Sequence, residues 1–103
     1  MTRIRHNDTG IRKAQILDAA VTLSEKHGYT NITREQIATA AQCSVGLVSK
    51  HMGTMEVLRR AIVSAAIARE NLHILAQALV NHHPKAMRAP LELRQRAALS
   101  LQS

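Results

Sequence analysis

Aromatic residues are nearly absent from this chain of 103 residues, in which Tyr29 is the one tyrosine and neither phenylalanine nor tryptophan occurs. Modules that bind RNA or single-stranded DNA rely on several aromatic side chains, on which successive bases stack. The composition therefore argues against both of these classes.

Cysteine is also scarce, because Cys43 stands alone. A single cysteine excludes an internal disulfide framework and suits a reducing compartment. Residues 1–10 are polar and lack the apolar stretch of a signal peptide. Residues 61–68 are the longest apolar stretch near the middle, but Ser64 interrupts them and they are far too short to span a bilayer. We therefore expect a cytoplasmic protein without a membrane segment.

Acidic residues are few, with 7 Asp and Glu against 14 Lys and Arg, and the formal net charge is +7 at pH 7. This balance favours a polyanionic partner such as nucleic acid or an anionic membrane surface. Glycine and proline are few as well, at 4 and 2 residues, whereas alanine and aliphatic residues dominate. This composition predicts one small domain of the all-α class.

Residues 33–52 carry the pattern of two short helices joined by a tight turn. Thr33 can cap the first helix with Gln36 as its capping-box partner, and Ser44 can cap the second. Val45 and Val48, at i and i+3, can face inward and leave more polar residues outside. This is the helix-turn-helix pattern, which places the second helix in the major groove of DNA.

The regions on either side of this motif complete the predicted organisation. Residues 1–9 read as a flexible basic arm, and residues 10–53 as a three-helix DNA-binding unit whose first helix ends at Gly28. Residues 54–103 read as one long helix to about Asn81 and a short C-terminal helix after Pro90. The apolar stripe of the long helix predicts a dimer interface at Leu72, Leu75, Ala76 and Leu79.

From Ile11 to about Ile62, the chain resembles the N-terminal DNA-binding domain of TetR (tetracycline-repressor-like) regulators. The matching residues, in the order of the family pattern, are Arg12, Ile16, Leu17, Ala19, Ala20, Leu23, Gly28, Tyr29, Thr33, Ile37, Ala38, Ala41, Cys43, Ser44, Gly46, Val48, His51, Met52, Glu56 and Leu58. Two phosphate-contacting positions of the family differ, because Ser49 replaces a tyrosine and Met55 replaces a lysine. The larger ligand-binding domain of the family has no counterpart in the roughly forty residues after Ile62, so we expect no small-molecule inducer.

Two sets of DNA contacts follow from the motif and the resemblance. We expect contacts to base edges from Val45, Gly46, Leu47, Ser49 and Lys50. We expect contacts to phosphates from Arg3, Arg5, Lys13, Thr33, Ser44, His51 and Thr54.

Other kinds of site find little support in the sequence. His73, His82 and His83 lack a cysteine or acid at the spacing of a metal site, and Cys43 lacks a nearby His–acid pair. No glycine-rich phosphate loop, nucleophile elbow or carboxylate pair occurs. We therefore expect neither enzymatic activity nor a metal or other cofactor.

The sequence thus predicts a homodimeric transcriptional regulator that binds a palindromic operator in double-stranded DNA. A repressor that acts by occupying the operator is the first interpretation. An activator of the same architecture is one alternative, and an adaptor for DNA packaging or assembly, whose helix-turn-helix serves mainly in oligomerisation, is another.

Overall fold

The computed structural model describes the backbone of residues 4–101 and the side chains of residues 10–101. Over that range the fold is built from helices without a strand, which confirms the predicted all-α class. The helices are α1 (Ile4–His27), α2 (Arg34–Ala41), α3 (Val45–Met52), α4 (Met55–Ala68), α5 (Leu72–Val80), α6 (Pro84–Met87) and α7 (Leu91–Ser100). None of these described helices combines the length and the apolar character needed to cross a membrane.

One aliphatic core joins the helix-turn-helix to the helices that follow it. Its fully buried members include Ile16 of α1, Ile37 of α2, Val48 of α3, Ile62 of α4 and Leu75 of α5. Alanines fill much of the remaining space, and their small side chains let the helices approach closely. The helix-turn-helix is therefore held in place by α1 on one side and by α4 on the other.

The predicted boundaries of the motif are correct to within a residue, because the cap residues act as expected. The Thr33 hydroxyl accepts a hydrogen bond from the Gln36 N–H at 3.1 Å, while the Gln36 side chain accepts one from the Thr33 N–H at 2.9 Å. Ser44 caps α3 in the same way. Gly28 has φ = 91° after the end of α1, a left-handed conformation that glycine adopts without strain.

The predicted arm at residues 1–9 is wrong for residues 4–9, whose backbone continues α1 towards its N-terminus. No proline interrupts these residues, so helical hydrogen bonding can propagate through Gly10.

The prediction of one long helix after Thr54 is also wrong, because α4 ends at Ala68 and α5 begins at Leu72. Glu70 adopts a left-handed conformation with φ = 55°. Its N–H donates to the Ile67 carbonyl at 3.2 Å, and the Asn71 N–H donates to the Ala66 carbonyl at 2.8 Å. These are the two hydrogen bonds of a Schellman motif, which terminates a helix.

The break is stabilised because α5 folds back against α1 and α7. Asn71 caps α5 by accepting a hydrogen bond from the Ile74 N–H at 3.2 Å, and its amide donates to Glu25 of α1 at 2.8 Å. Arg69 forms an ion pair with Asp18 of α1 at 2.7 Å. A straight helix would lose these contacts and would expose the buried side of α5.

The fold also corrects the predicted dimer interface. Leu75 is 0 % exposed and Ala76 2 % exposed within the single chain, so neither can meet a second copy. Leu72 and Leu79 are half-buried against the same core. The stripe that suggested a seam between chains is therefore largely the side of α5 that packs inside the monomer.

Candidate nucleic-acid interface

Helix α3 is anchored by one side and presents the other to solvent. Val48 and Met52, four residues apart, are buried beneath it. Gly46, Ser49 and Lys50 are exposed and lie together on the opposite side. The second helix of the motif thus offers a hydroxyl group, which can donate or accept a hydrogen bond at a base edge, and an ammonium group, which can donate one.

Packing within the single chain gives no steric reason for a glycine at position 46. A Cβ atom added at this position would meet only the Ser44 hydroxyl oxygen, at 3.9 Å, and its φ lies outside the left-handed range. Glycine weakens a helix relative to alanine by up to about 1 kcal/mol, so the fold alone would favour alanine here. The missing side chain instead leaves room for a partner to approach the backbone of α3.

Two of the predicted base contacts occupy different surroundings from those expected. Val45 is 37 % exposed, so its predicted inward orientation beside Val48 is wrong, and it lines a surface cleft. Leu47 is half-buried and packs partly against the core, which leaves less of it available than the pattern suggested.

The three predicted cap hydroxyls are exposed, at Thr33, Ser44 and Thr54. Each hydroxyl oxygen accepts a hydrogen bond from a backbone N–H in the first turn of its own helix. The hydroxyl proton remains able to donate, since it takes no part in these bonds. Capping and phosphate contact can therefore coexist at the N-termini of α2, α3 and α4.

A cleft of about 340 Å³ joins these helices, and the charged residues in its lining are Arg34, Glu35 and Arg59. Arg59 of α4 is half-buried in this cleft beside Thr33, Ser49 and Met55. Among the described residues, its Nε atom is buried without a hydrogen-bond partner. Because such a group costs free energy when left unpaired, the cleft is suited to receive an anion.

The spacing of Arg59 in the sequence indicates which face of α4 it occupies. It follows Met55 by one helical turn and therefore lies on the same face. Met55 stands where the family pattern has a lysine. Arg59 thus brings a positive charge back to the same cleft from the next turn.

The other residues predicted to contact phosphates lie outside this cleft or outside the described part of the chain. Lys13 is exposed on α1 and His51 is half-buried on α3, and neither lines the cleft that contains Arg59. Arg3 lies outside the described residues, and so does the side chain of Arg5.

Comparison with protein families gives one match, and it covers the elements that form this interface. Residues 16–62, from the middle of α1 to the middle of α4, match the model described as "Bacterial regulatory proteins, tetR family". Neither the curated proteins nor the solved structures gave a match. With the two capped helices and the exposed polar side of α3, this match supports a tetR-like helix-turn-helix DNA-binding domain at residues 16–62.

Proposed function

We propose that this protein is a sequence-specific transcriptional repressor that binds a palindromic operator as a homodimer. The observation that supports this most directly is the exposed side of α3, where Gly46, Ser49 and Lys50 lie together. With α3 in the major groove, Lys50 can donate to guanine O6 and N7, and Ser49 can donate to or accept from either base of a pair. Gly46 lets the backbone of α3 approach the duplex.

The cap residues and Arg59 position the domain on the sugar–phosphate backbone. The N-termini of α2 and α4 offer unpaired N–H groups and a positive dipole end, both of which favour phosphate. The guanidinium of Arg59 lies in the cleft between them and can supply the charge that Met55 cannot. These contacts carry no sequence information, but they fix the register of α3 in the groove.

The dimer contact is proposed on α7 instead of α5. Leu91 and Leu99 are 59 % and 63 % exposed, and with the exposed Ala98 they form a stripe along one side of α7. The opposite side of α7, with Leu93 and Ala97, is buried against the monomer core. Burying each exposed leucine against a second copy would contribute about 1.5–3 kcal/mol.

The proposed mechanism is occupancy of the operator. A dimer with its two α3 helices about 34 Å apart would cover successive major grooves on one side of the duplex. A promoter that overlaps this site would be closed to polymerase. The tight binding that this requires arises because the two half-sites are engaged together.

Selection of bound duplexes from a random pool tests the proposal. We expect enrichment of a two-fold symmetric sequence, with half-sites separated by one helical turn. Transcription from a promoter that carries this sequence should then fall when the protein is added. Activation in that assay would contradict repression, and binding without any enriched sequence would favour the packaging or assembly adaptor.

A further inference from the structure

A second basic cleft lies on the other side of the first turns of α4. Its volume is about 290 Å³, and it is lined by Glu56, Arg60, His83, Pro84, Lys85 and Arg88. Arg60 belongs to α4, whereas Lys85 and Arg88 belong to α6 and its C-cap. Two separate elements therefore bring three permanent cations to one opening, with Glu56 as the one acidic side chain in its lining.

These cations are not explained by ion pairs within the fold. Among residues 10–101, the ion pairs are Asp18–Arg69 at 2.7 Å and Glu70–Arg96 at 3.0 Å, and both lie outside the cleft. Bringing like charges together costs free energy that a bound anion would recover. The lining is thus suited to bind an anion that belongs to another molecule.

His83 shows how closely the cations converge. Burial lowers the pKa of its imidazole, and the charges of Arg60 and Lys85 lower it further. Its Nδ1 atom accepts a hydrogen bond from the Lys85 N–H at 3.2 Å, so the neutral ring carries its proton on Nε2. His83 therefore adds a neutral donor to a cleft whose other donors are charged.

The position of the cleft indicates which anion it meets. Met55 and Arg59 line the cleft beside α3, and Glu56 and Arg60, each one residue later on α4, line this second cleft. Successive residues of a helix are separated by about 100° around its axis, so the two clefts flank the same two turns. A DNA strand adds a phosphate about every 3.4 Å along the duplex axis, so the backbone continues past the phosphates near α2 and α3.

We propose that the α6 cleft, formed by Arg60, His83, Lys85 and Arg88, holds a backbone phosphate of DNA outside the base pairs that α3 reads. This inference rests on the proposed function and extends the footprint of the protein. It also gives the region beyond the matched domain a direct part in DNA binding, because Lys85 and Arg88 lie after residue 62.

The test compares two duplexes that contain the same selected operator, one with several flanking base pairs on each side and one without them. We expect the parent protein to bind the longer duplex about tenfold more tightly, as loss of a charge-assisted contact implies. Lys85→Gln should abolish most of this difference without changing the preferred bases. Lys26→Gln, which removes one exposed lysine from α1, is the charge-matched control and should preserve the difference.

Circular dichroism and thermal unfolding would establish that both variants fold like the parent. Equal binding of the two duplexes by the parent would overturn the inference, and so would an equal loss on both duplexes in Lys85→Gln. Titration with inorganic pyrophosphate separates a free phosphate ligand from DNA. If Lys85→Gln weakened pyrophosphate binding but left the length dependence intact, the DNA assignment would be wrong. None of these results depends on which bases are preferred, so this inference can fail while the proposed function stands.

Discussion

The side-chain carbonyl of Gln77 accepts a hydrogen bond from the backbone N–H of Tyr29 at 3.1 Å. The Gln77 amide also donates to the Ser24 carbonyl at 3.4 Å, so one side chain satisfies two backbone groups at the end of α1. Helix α5 is thereby tied to the turn that leads into the helix-turn-helix. The reading unit and the helices after it are linked by polar contacts as well as by their common core.

Gln77→Ala should lower the free energy of unfolding by about 1–3 kcal/mol, because the Tyr29 N–H would be left part-buried without a partner. Gln15→Ala, at an exposed position of α1, is the matched control and should change it by less than about 0.5 kcal/mol. Urea unfolding followed by circular dichroism measures both. Equal effects of the two substitutions would show that the link between α5 and Tyr29 is not stabilising.

Gly46→Ala should separate stability from DNA binding. The added methyl group meets no close neighbour, so we expect the free energy of unfolding to stay constant or to rise by up to about 1 kcal/mol. Operator binding should weaken by about 1–3 kcal/mol, since the methyl group would crowd the duplex. Gly10→Ala, also in a helix with open space around it, should leave operator binding unchanged. Gly46→Ala protein that binds as tightly as the parent would show that α3 does not approach the DNA at this residue.

Lys50→Ala and Arg59→Gln should have different effects on specificity. Loss of Lys50 should weaken binding to the operator by about 1–3 kcal/mol and relax the preference at one base pair. Loss of Arg59 should weaken binding to all duplexes alike and reduce the salt slope by about one unit, as expected for a phosphate contact. Titrations against the operator, single-base variants and an unrelated duplex, each at several salt concentrations, distinguish the two patterns. An unchanged base preference in Lys50→Ala would show that α3 is not the reading helix.

Leu91→Glu combined with Leu99→Glu should convert the proposed dimer to monomers, because both leucines are exposed in the single chain and the glutamates would bring charge into the proposed interface. Each monomer should remain helical, since neither side chain belongs to the core. Ile11→Glu changes an exposed apolar residue on α1 in the same way and should leave the dimer intact. Light scattering measures the mass of each variant. A double variant that remains dimeric would place the interface elsewhere.

The beginnings of the helices around the reading unit could be predicted because their signals are local. Thr33 and Ser44 each accept a hydrogen bond from a backbone N–H three residues later, so the residue type and the spacing suffice. The stop at Gly28 is similarly local, since glycine is the residue that most readily takes the left-handed conformation. The residues that could face DNA at Gly46, Ser49 and Lys50 followed from the same helical periodicity.

The break between α4 and α5 could not be predicted in this way. Glu70 adopts the left-handed conformation, which at the end of a helix is usually adopted by glycine. The helical spacing of apolar residues also continues across it, from Ile62 to Leu79. The contacts that favour the break come from Asp18 and Glu25, which are distant in sequence. Once the helix turns back, Leu75 becomes a core residue, while Leu72 and Leu79 pack half-buried against the core.

The spacing of Arg59 from Met55 indicates the face of α4 on which it lies, but its burial could not be predicted from residue type. Arg59 and Arg60 are adjacent arginines with the same chemistry, yet they line different clefts on the two sides of α4. Which of them is half-buried depends on how α3 packs against α4, and residue type does not encode that. The prediction of an anionic partner from charge composition therefore agrees with the tetR-type match, but composition cannot assign individual cations to clefts.

The solitary tyrosine has a practical consequence for spectroscopy. Tyr29 is 3 % exposed, its ring lies edge-on to His83 at a centroid distance of 6.1 Å, and its hydroxyl accepts from the Asn81 amide at 3.5 Å. Since the chain has no tryptophan, its intrinsic fluorescence arises from this one ring at the junction between the reading unit and the α5–α6 segment. Every change in that emission reports on a single, known place in the molecule, without a label and without a substitution.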